Sequence, residues 1–314
     1  MFVHTCLAVL AGVLAAGGDA GSPKGDFDIK SPAFRKILAP DSKLTKLAGG
    51  MLFTEGPVWV EKQQALLFSD IPANQVKRWT QKDGVAMWLR PSHHANGHTL
   101  DLQGRLISCE HGARRVTRMT LDAARTTEVL ASAYKGKRLN APNDAAVKRD
   151  GTIWFTDPGY GLNPEEAELT KRHVFCLDSK RGEMKSVADD FERPNGLCFS
   201  PDEKRLHIAD SSKRHHVRVF DVTADNTLTN GRVLATLPKG VPDGMRADTD
   251  GRLYVTGGEG VYVYAPSGEL LGTILMKEVP ANCTFGGQGR HTLFITARTS
   301  LYAIKLAATG AQRP

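Results

Sequence analysis

Six positions along the chain could bring oxygen atoms to a single site, because each one opens a similar stretch of sequence. They are Glu55, Asn96, Asn143, Asn195, Asp243 and, less clearly, Asn282 or Thr284. Asn and Asp are common in turns, but turn chemistry does not explain the glutamate. Two carboxylates in one site would also repel each other unless a cation or a proton intervened. We therefore predict one divalent-metal site formed by Glu55, Asn143, Asn195 and Asp243.

The donor atoms limit the identity of this ion. Carboxylate and amide oxygens suit hard cations, calcium first and magnesium or manganese next. Zinc is the least favoured alternative, because it prefers His and Cys ligands. The pairs His93-His94 and His215-His216 do not change this preference, since adjacent residues on a strand point to opposite faces.

A second element follows each of these positions and resembles L-x-x-[ST]-[DE]. Its copies are Leu66–Asp70, Leu106–Glu110, Ile153–Asp157, Leu206–Asp210, Leu253–Gly257 and Leu293–Ala297. The repeats start between 41 residues (55 to 96) and 52 residues (143 to 195) apart, which is the length of one four-stranded propeller blade. Asp150-Gly151, Asp250-Gly251 and Gln103-Gly104 supply the positive φ of tight hairpin turns. The pattern predicts an all-β fold, a six-bladed β-propeller.

The last repeat lacks a local source for its fourth strand, because only a polar tail follows Tyr302–Leu306. The strand-like segment Leu44–Leu47 can supply it and so close the ring, which removes an open sheet edge. We therefore predict one propeller domain over 34–306, closed by an N-terminal strand. An open double sandwich explains neither the period nor the short last repeat. Inner strands run about one axis, so the six positions should meet at one mouth of the channel.

The termini are assigned by composition. An apolar run over Cys6–Ala16, followed by small residues to Ala20, is typical of a signal peptide, although no Lys or Arg precedes it. We expect residues 1–20 to direct export to the periplasm or the exterior; if they are only an apolar tail, the protein is cytoplasmic. Residues 21–33 are predicted to be a flexible segment and 307–314 a tail. No apolar stretch approaches 18 residues, so no membrane span is expected.

Composition excludes some partners. The net charge of +7 comes from scattered Lys and Arg, whereas nucleic-acid binding wants a basic stripe with stacking aromatics. Nothing points to an obligate protein partner. The cysteines beyond residue 20 lie in apolar strand patterns without a CxxC pair, so we interpret them as small buried residues, with disulfides neither required nor excluded. They are Cys109, Cys176, Cys198 and Cys283.

Four motifs carry a family resemblance. They are Glu55-Gly56-Pro57-Val58-Trp59, Pro142-Asn143-Asp144, Pro194-Asn195-Gly196 and Pro242-Asp243-Gly244. In this order they resemble the gluconolactonase family that includes regucalcin, over about 44–306; squid-type diisopropyl fluorophosphatase is a more distant relative. The resemblance implies a calcium-dependent hydrolase of small-molecule sugar lactones. It also implies Glu55, Asn195 and Asp243 as direct metal ligands, Asn143 as a metal or substrate ligand, Asp243 as general base and Arg138 as substrate-binding.

Two other functions remain open. The same metal could serve a phosphoester or organophosphate hydrolase, or it could only stabilise a non-enzymatic binding propeller. Ser200 lacks the Gly-x-Ser-x-Gly elbow of a serine hydrolase. Polar residues at the ends of second strands could be structural or could belong to the site; they are Glu110, His111, Asp157 and Tyr160.

Overall fold

The computed structural model describes residues 26–311, which form six antiparallel sheets of at least four strands each. The inner strands of neighbouring blades contact one another around the whole ring, including the last blade and the first. The six-bladed propeller predicted from the repeat is confirmed. The glycines of the predicted hairpin turns, Gly104, Gly151 and Gly251, all have positive φ.

We number the blades along the chain and give their strands from the inside outward. Blade 1 comprises Thr54–Val60, Ala65–Asp70, Gln75–Thr80 and Gly84–Leu89. Blade 2 comprises Ala95–Leu100, Leu106–Glu110, Arg115–Met119 and Thr127–Ala131. Blade 3 comprises Ala145–Val147, Ile153–Asp157, His173–Asp178 and Glu183–Ala188. Blade 4 comprises Pro194–Phe199, Arg205–Asp210, His216–Val222 and Leu228–Thr236. Blade 5 comprises Met245–Ala247, Leu253–Gly257, Gly260–Tyr264, Leu270–Leu275 and Phe27–Ile29. Blade 6 comprises Asn282–Gly286, Thr292–Ala297, Ser300–Lys305 and Thr45–Ala48.

Helical structure is limited to short connecting segments in residues 26–311. They are the α-helix Pro32–Arg35 and the 3-10 turns Glu61–Gln63, Pro164–Glu166 and Gln288–Arg290. A separate two-stranded hairpin, Ala133–Tyr134 with Lys137–Arg138, precedes blade 3.

The core lies between the blades, and the strand period explains why. Successive side chains of a strand point to opposite faces, so the second strand of each blade packs against the blades on both sides. On blade 1, Leu66 and Phe68 pack with Phe294 of blade 6, whereas Leu67 packs with Leu106 of blade 2. Residues 26–311 contain one such apolar cluster between each pair of adjacent blades. The near-continuous apolar run of each second strand therefore supplies alternate side chains to two interblade clusters.

Ring closure occurs as the short last repeat predicts. Thr45–Ala48 pairs antiparallel with Ser300–Lys305, with Thr45 opposite Ala303 and Lys46 opposite Tyr302. The indole of Trp59 on blade 1 stacks on Phe294 of blade 6, with ring centroids 5.3 Å apart. Both contacts join the two ends of the chain into one domain.

The segments flanking the propeller are more ordered than their polar sequence suggests. Residues 21–33 are predicted to be flexible, yet Phe27–Ile29 adds a fifth strand to blade 5, with Phe27 opposite Ile274. Its apolar side chains pack on the same cluster as the fully buried Phe34, which supplies the reason for the order. In the predicted tail, the carbonyl of Thr309 accepts a hydrogen bond from the N–H of Thr249 (2.8 Å).

Two remaining sequence predictions concern the termini and the cysteines. The predicted signal peptide, residues 1–20, lies outside the described residues. No helix within 26–311 is long and apolar enough to cross a membrane. All four cysteines of that range are buried and free, in agreement with their interpretation as small apolar residues.

Candidate metal centre

We call Glu55, Asn96, Asn143, Asn195, Asp243 and Asn282 the mouth residues. They lie at or just before the start of the inner strands, and glycine lets these strands approach one another. A Cβ on Gly56 would lie 2.0 Å from the carbonyl oxygen of Asn96 on the next blade. A Cβ on Gly196 would lie 2.4 Å from the carbonyl oxygen of Asp243. A side chain does not fit at these positions, so the glycine that follows the mouth residue on blades 1, 2, 4 and 5 lets adjacent mouth residues stand close together.

The serine or threonine of the repeated L-x-x-[ST]-[DE] element connects adjacent blades. The hydroxyl of Ser69 on blade 1 donates to the carbonyl of Asn96 (2.7 Å), and that of Thr156 on blade 3 donates to the carbonyl of Asn195 (2.8 Å). A buried carbonyl at the mouth is thereby satisfied by the neighbouring blade. This part of the repeat fixes where the mouth residues stand.

The acid that ends the same element anchors the loop leading into the inner strand, which we call the leading loop. It does so on blades 1, 3 and 4 by accepting two backbone N–H groups at N···O distances of 2.7 to 3.3 Å. The acids are Asp70, Asp157 and Asp210, and their donors are Leu52 and Phe53, Asn140 and Ala141, and Glu192 and Arg193. Each donor pair lies three and two positions before a mouth residue. Asp157, which the sequence left as either structural or part of the site, thus positions the leading loop of blade 3.

Blade 3 departs from the pattern, because Asp144 stands where blades 1, 2, 4 and 5 have glycine. Its side chain is almost fully buried, and Oδ2 accepts a hydrogen bond from Asn282 Nδ2 (3.3 Å). The same amide nitrogen donates to Glu55 Oε2 (3.0 Å). Arg246 Nη1 lies 3.7 Å from Asp144 Oδ2. A polar network therefore crosses the channel and holds the Glu55 carboxylate from below.

Three buried carboxylates in this region have raised pKa values. Burial and the charge of Asp144 raise the pKa of Glu55 to about 7, against hydrogen bonds from Gly56 and Asn282. Burial, Glu55 and then Asp144 raise the pKa of Asp243 well above its ordinary value. Burial also raises the pKa of Asp144, against the nearby charge of Arg246. The mouth therefore has more negative charge than its own cations balance.

Asn195 is held by two hydroxyl groups that sequence reasoning did not select for the site. Its Nδ2 donates to Ser211 Oγ (2.9 Å) and lies 3.4 Å from Tyr160 Oη. Ser211 Oγ itself donates to the carbonyl of Pro242, so its lone pairs remain to accept from the amide. With the nitrogen engaged in this way, the amide oxygen is the atom free to act as a ligand. Burial, then the charge of Asp243, raise the pKa of Tyr160, which keeps it a neutral hydroxyl.

The other predicted residues are placed as follows. Asn143 is buried, its backbone N–H donates to Thr156 (2.8 Å), and its side chain has no hydrogen-bond partner within 26–311. Asn96 Nδ2 lies 3.3 Å from His111 Nε2. Glu110 is bound by Arg115 (2.6 Å) away from this cluster. Arg138 is exposed on the hairpin before blade 3, with its backbone N–H bonded to Glu168 (2.8 Å).

The donor set fits a hard cation. Glu55 and Asp243 are buried acids whose pKa values are raised by burial and by neighbouring carboxylates, and a positive charge beside them would relieve this. Asn143 and Asn195 add amide oxygens, which calcium accepts readily. Among residues 26–311, no three His, Cys, Asp or Glu side chains form a metal-binding group, so a cation here would depend on these amides as well as on the acids.

The opposite end of the channel has another character. The inner strands of blades 3, 4 and 5 line a cavity of about 290 Å³ there, where small and apolar residues such as Ala145, Leu197 and Ala247 stand beside the charged Arg149, Glu203 and Arg246. Acids at this end lie in tight turns. Asp150, for example, accepts hydrogen bonds from Lys148 Nζ (2.8 Å) and Thr152 N (2.9 Å).

Several residues of the network carried only weak sequence signals. Asp144 interrupts the glycine pattern at a mouth position, which could have marked it. Asn282 was an open alternative to Thr284, and the structure shows Asn282 bonded to Glu55. Arg246 and Ser211 occupy no repeated position, so only the folded ring brings them to the mouth.

Comparison with known proteins is consistent with this geometry. The family described as SMP-30/Gluconolactonase/LRE-like region matches residues 53–299. A gluconolactonase from Zymomonas mobilis is 33% identical over 92% of this chain and 88% of its own. The solved structure of a gluconolactonase from Xanthomonas campestris is 36% identical, covers 94% of this chain and 99% of its own, and has a TM-score of 0.84. The calcium-binding protein regucalcin from Agrobacterium tumefaciens, 18% identical over 85% of this chain and 96% of its own with a TM-score of 0.69, shares the fold.

Proposed function

Because this chain belongs to the SMP-30/gluconolactonase/LRE-like family, we propose that it hydrolyses sugar lactones with one divalent cation, calcium first, held by Glu55, Asn143, Asn195 and Asp243. Two relatives named gluconolactonase support the reaction class. The observation that carries the proposal is a cluster of buried acids beside two buried amides: burial and then the charge of Asp144 raise the pKa of Glu55, and burial and then the charge of Glu55 raise the pKa of Asp243. A site so poor in positive charge is suited to a cation.

The cation supplies Lewis acidity, which polarises the lactone carbonyl and makes a water molecule more acidic. The chain supplies the proton transfers. Asp243 accepts a proton from the water that attacks the carbonyl carbon and returns it to the ring oxygen when the carbon–oxygen bond breaks, so the product is a hydroxy acid. Ser211 and Tyr160 keep the Asn195 amide in a single orientation.

Two residues are proposed to bind the substrate. Asn143, whose side chain is not engaged within 26–311, can donate to a carbonyl or hydroxyl oxygen of the lactone. Arg138 is exposed on its hairpin and can bind a hydroxyl or carboxylate of the sugar.

The decisive experiment measures D-glucono-δ-lactone hydrolysis by the purified protein before and after chelation. Chelation should abolish enzymatic turnover, and Ca²⁺, Mg²⁺, Mn²⁺ or Zn²⁺ added singly should restore it to different extents, with Ca²⁺ most effective. Full turnover in the chelated protein would contradict the metal assignment.

The same preparation separates the alternatives. A phosphotriester hydrolysed faster than any lactone would favour the organophosphate reaction. Calcium that raises thermal stability without any turnover, on lactones or phosphotriesters, would favour the non-enzymatic binding propeller.

A further inference from the structure

Three exposed apolar side chains stand on the leading loops of three successive blades, 5, 6 and 1. Val241, Val279 and Leu52 are exposed by 36%, 41% and 61%. They lie two or three positions before the mouth residues Asp243, Asn282 and Glu55. Since the leading loops converge on the mouth, these three residues stand at equivalent positions around one half of its rim, and we call them the apolar arc.

The backbone that carries the apolar arc is fixed. The N–H of Leu52 donates to Asp70 Oδ1 (3.1 Å). Glu278, next to Val279, accepts hydrogen bonds from Ser300 (2.7 Å) and Tyr302 (2.8 Å). The carbonyl of Val241 packs against Gly257, where a Cβ would lie 2.4 Å away. Binding of a ligand to these side chains therefore carries little entropy cost from ordering the loops.

The other half of the rim is polar. Arg193 and His93 are exposed at the equivalent positions before Asn195 and Asn96, and Arg138 is exposed on the hairpin before blade 3. Single exposed apolar residues are common on any protein. In residues 26–311, however, the other large exposed ones lie on outermost strands or in the turn after the inner strand of blade 2; they are Met87, Val129, Val233 and Leu102. Within the described residues, large exposed apolar side chains thus occur at equivalent positions of successive blades only around the mouth.

We infer that the apolar arc binds the aliphatic substituent of a ring-substituted lactone, while the polar half of the rim faces the ring oxygens. This rests on the proposed lactonase function and adds to its sugar lactones a second substrate class, lactones that carry an alkyl chain. A sugar lactone has hydroxyl groups all around its ring and would leave the arc in water. A butyl or longer chain would cover part of two side chains, which predicts an increase of about tenfold in kcat/KM.

The test compares δ-valerolactone with its 5-butyl derivative. The parent protein should hydrolyse the butyl lactone with about tenfold higher kcat/KM, and most of the difference should lie in KM, because the chain is remote from the reacting carbon. The double variant Val241→Thr/Val279→Thr keeps side-chain shape but adds hydroxyls, and should abolish this preference without changing turnover of δ-valerolactone. The control Val129→Thr/Val233→Thr alters two valines on outer strands that are somewhat more exposed, by 50% and 52%, and should keep the preference.

The outcomes separate this inference from the proposed function. Equal kcat/KM for the two lactones, or a preference that survives Val241→Thr/Val279→Thr, would overturn the inference alone. A change of oligomeric state in that variant with an unchanged preference would identify the arc as a contact between copies of the chain and overturn it as well. No turnover of any lactone would overturn the proposed function first.

Discussion

The two ends of the central channel use the same kind of side chain in opposite ways. Asp243 at the mouth is buried beside other acids, and its pKa is raised. Partial burial of Asp150 at the far end raises its pKa, but hydrogen bonds from Lys148, Thr152 and Asn226 together outweigh this and hold the pKa well below its usual range. The difference shows that ionisation of the far-end acid stabilises a turn, whereas ionisation of the mouth acid is disfavoured by its surroundings.

This contrast extends to neighbouring residues. The mouth brings together residues from blades 1, 3, 4, 5 and 6 that depend on one another, such as Glu55, Asn282 and Asp144. At the far end, the side chain of Asp248 binds residues of its own blade: the N–H groups of Asp250 and Arg252, the Arg252 guanidinium and the hydroxyl of Tyr254. Mouth substitutions should therefore change chemistry, and far-end substitutions should change only stability.

The largest effect is expected from neutral replacement of the mouth acids. Asp243→Asn should lower kcat/KM for gluconolactone by about a thousandfold or more, since it removes a ligand and the proposed base. Glu55→Gln should cause a comparable loss together with weaker calcium binding. Asp150→Asn is the matched far-end control and should keep parent activity. If Asp243→Asn retained parent kcat/KM and metal content, the two ends would not differ in function.

Stability without metal should change in the opposite direction. A raised pKa means that the fold prefers the protonated acid, so the stability contributed by Glu55 is complete below pH 4.5 and is lost as pH rises through about 7. The raised pKa of Asp243 acts in the same direction, so in chelator Asp243→Asn should be more stable than the parent by about 1–3 kcal/mol at pH 7.5, and by less at pH 5. Urea unfolding at the two pH values measures this difference.

Calcium should reverse that order. It should stabilise the parent more than Asp243→Asn, because a ligand that binds only the native state raises its stability in proportion to affinity. If Asp243→Asn were less stable than the parent in chelator at both pH values, charge repulsion among the mouth acids would not destabilise the metal-free protein.

A smaller effect is expected at the hydroxyl groups that hold Asn195. Ser211→Ala removes the acceptor at 2.9 Å and Tyr160→Phe removes the one at 3.4 Å. Each should lower kcat/KM by about tenfold, in line with one hydrogen bond, and should weaken calcium binding, as measured by titration calorimetry. Ser200→Ala, in a far-end turn, is the control. Unchanged calcium affinity in both mouth variants would remove their positioning role.

The smallest effect is expected from Asp150→Asn on stability. The carboxylate is partly exposed, so its ion pair with Lys148 contributes little, and the lost hydrogen bonds should cost about 1 kcal/mol. The loss should be independent of calcium. A calcium-dependent loss would mean that the two ends are energetically coupled.

The repeat made much of this structure predictable. Blade period, strand order and ring closure follow from local signals that occur six times, so errors in one copy are corrected by the others. Glu55, Asn143, Asn195 and Asp243 could be selected because propeller topology brings equivalent positions to one place. The same reasoning placed Tyr160 only at a strand end, with its role open.

Contacts outside the repeat could not be predicted. The bond between Asn282 and Glu55 depends on which residue of blade 6 faces the axis, which the sequence left between Asn282 and Thr284. Arg246 reaches Asp144 only because two short inner strands face each other across the channel. The strand Phe27–Ile29 needed the free edge of blade 5, a surface that exists only after the blade has folded.

The pairing of Thr45 with Ala303 has a consequence for biosynthesis. Residues 45–48 leave the ribosome early, but their partner strand is made more than two hundred residues later. Throughout that interval an unpaired strand and the open edge of the growing ring are available to chaperones or to neighbouring nascent chains. Translation speed over the last two blades should therefore affect the yield of soluble protein more than translation speed over the first two.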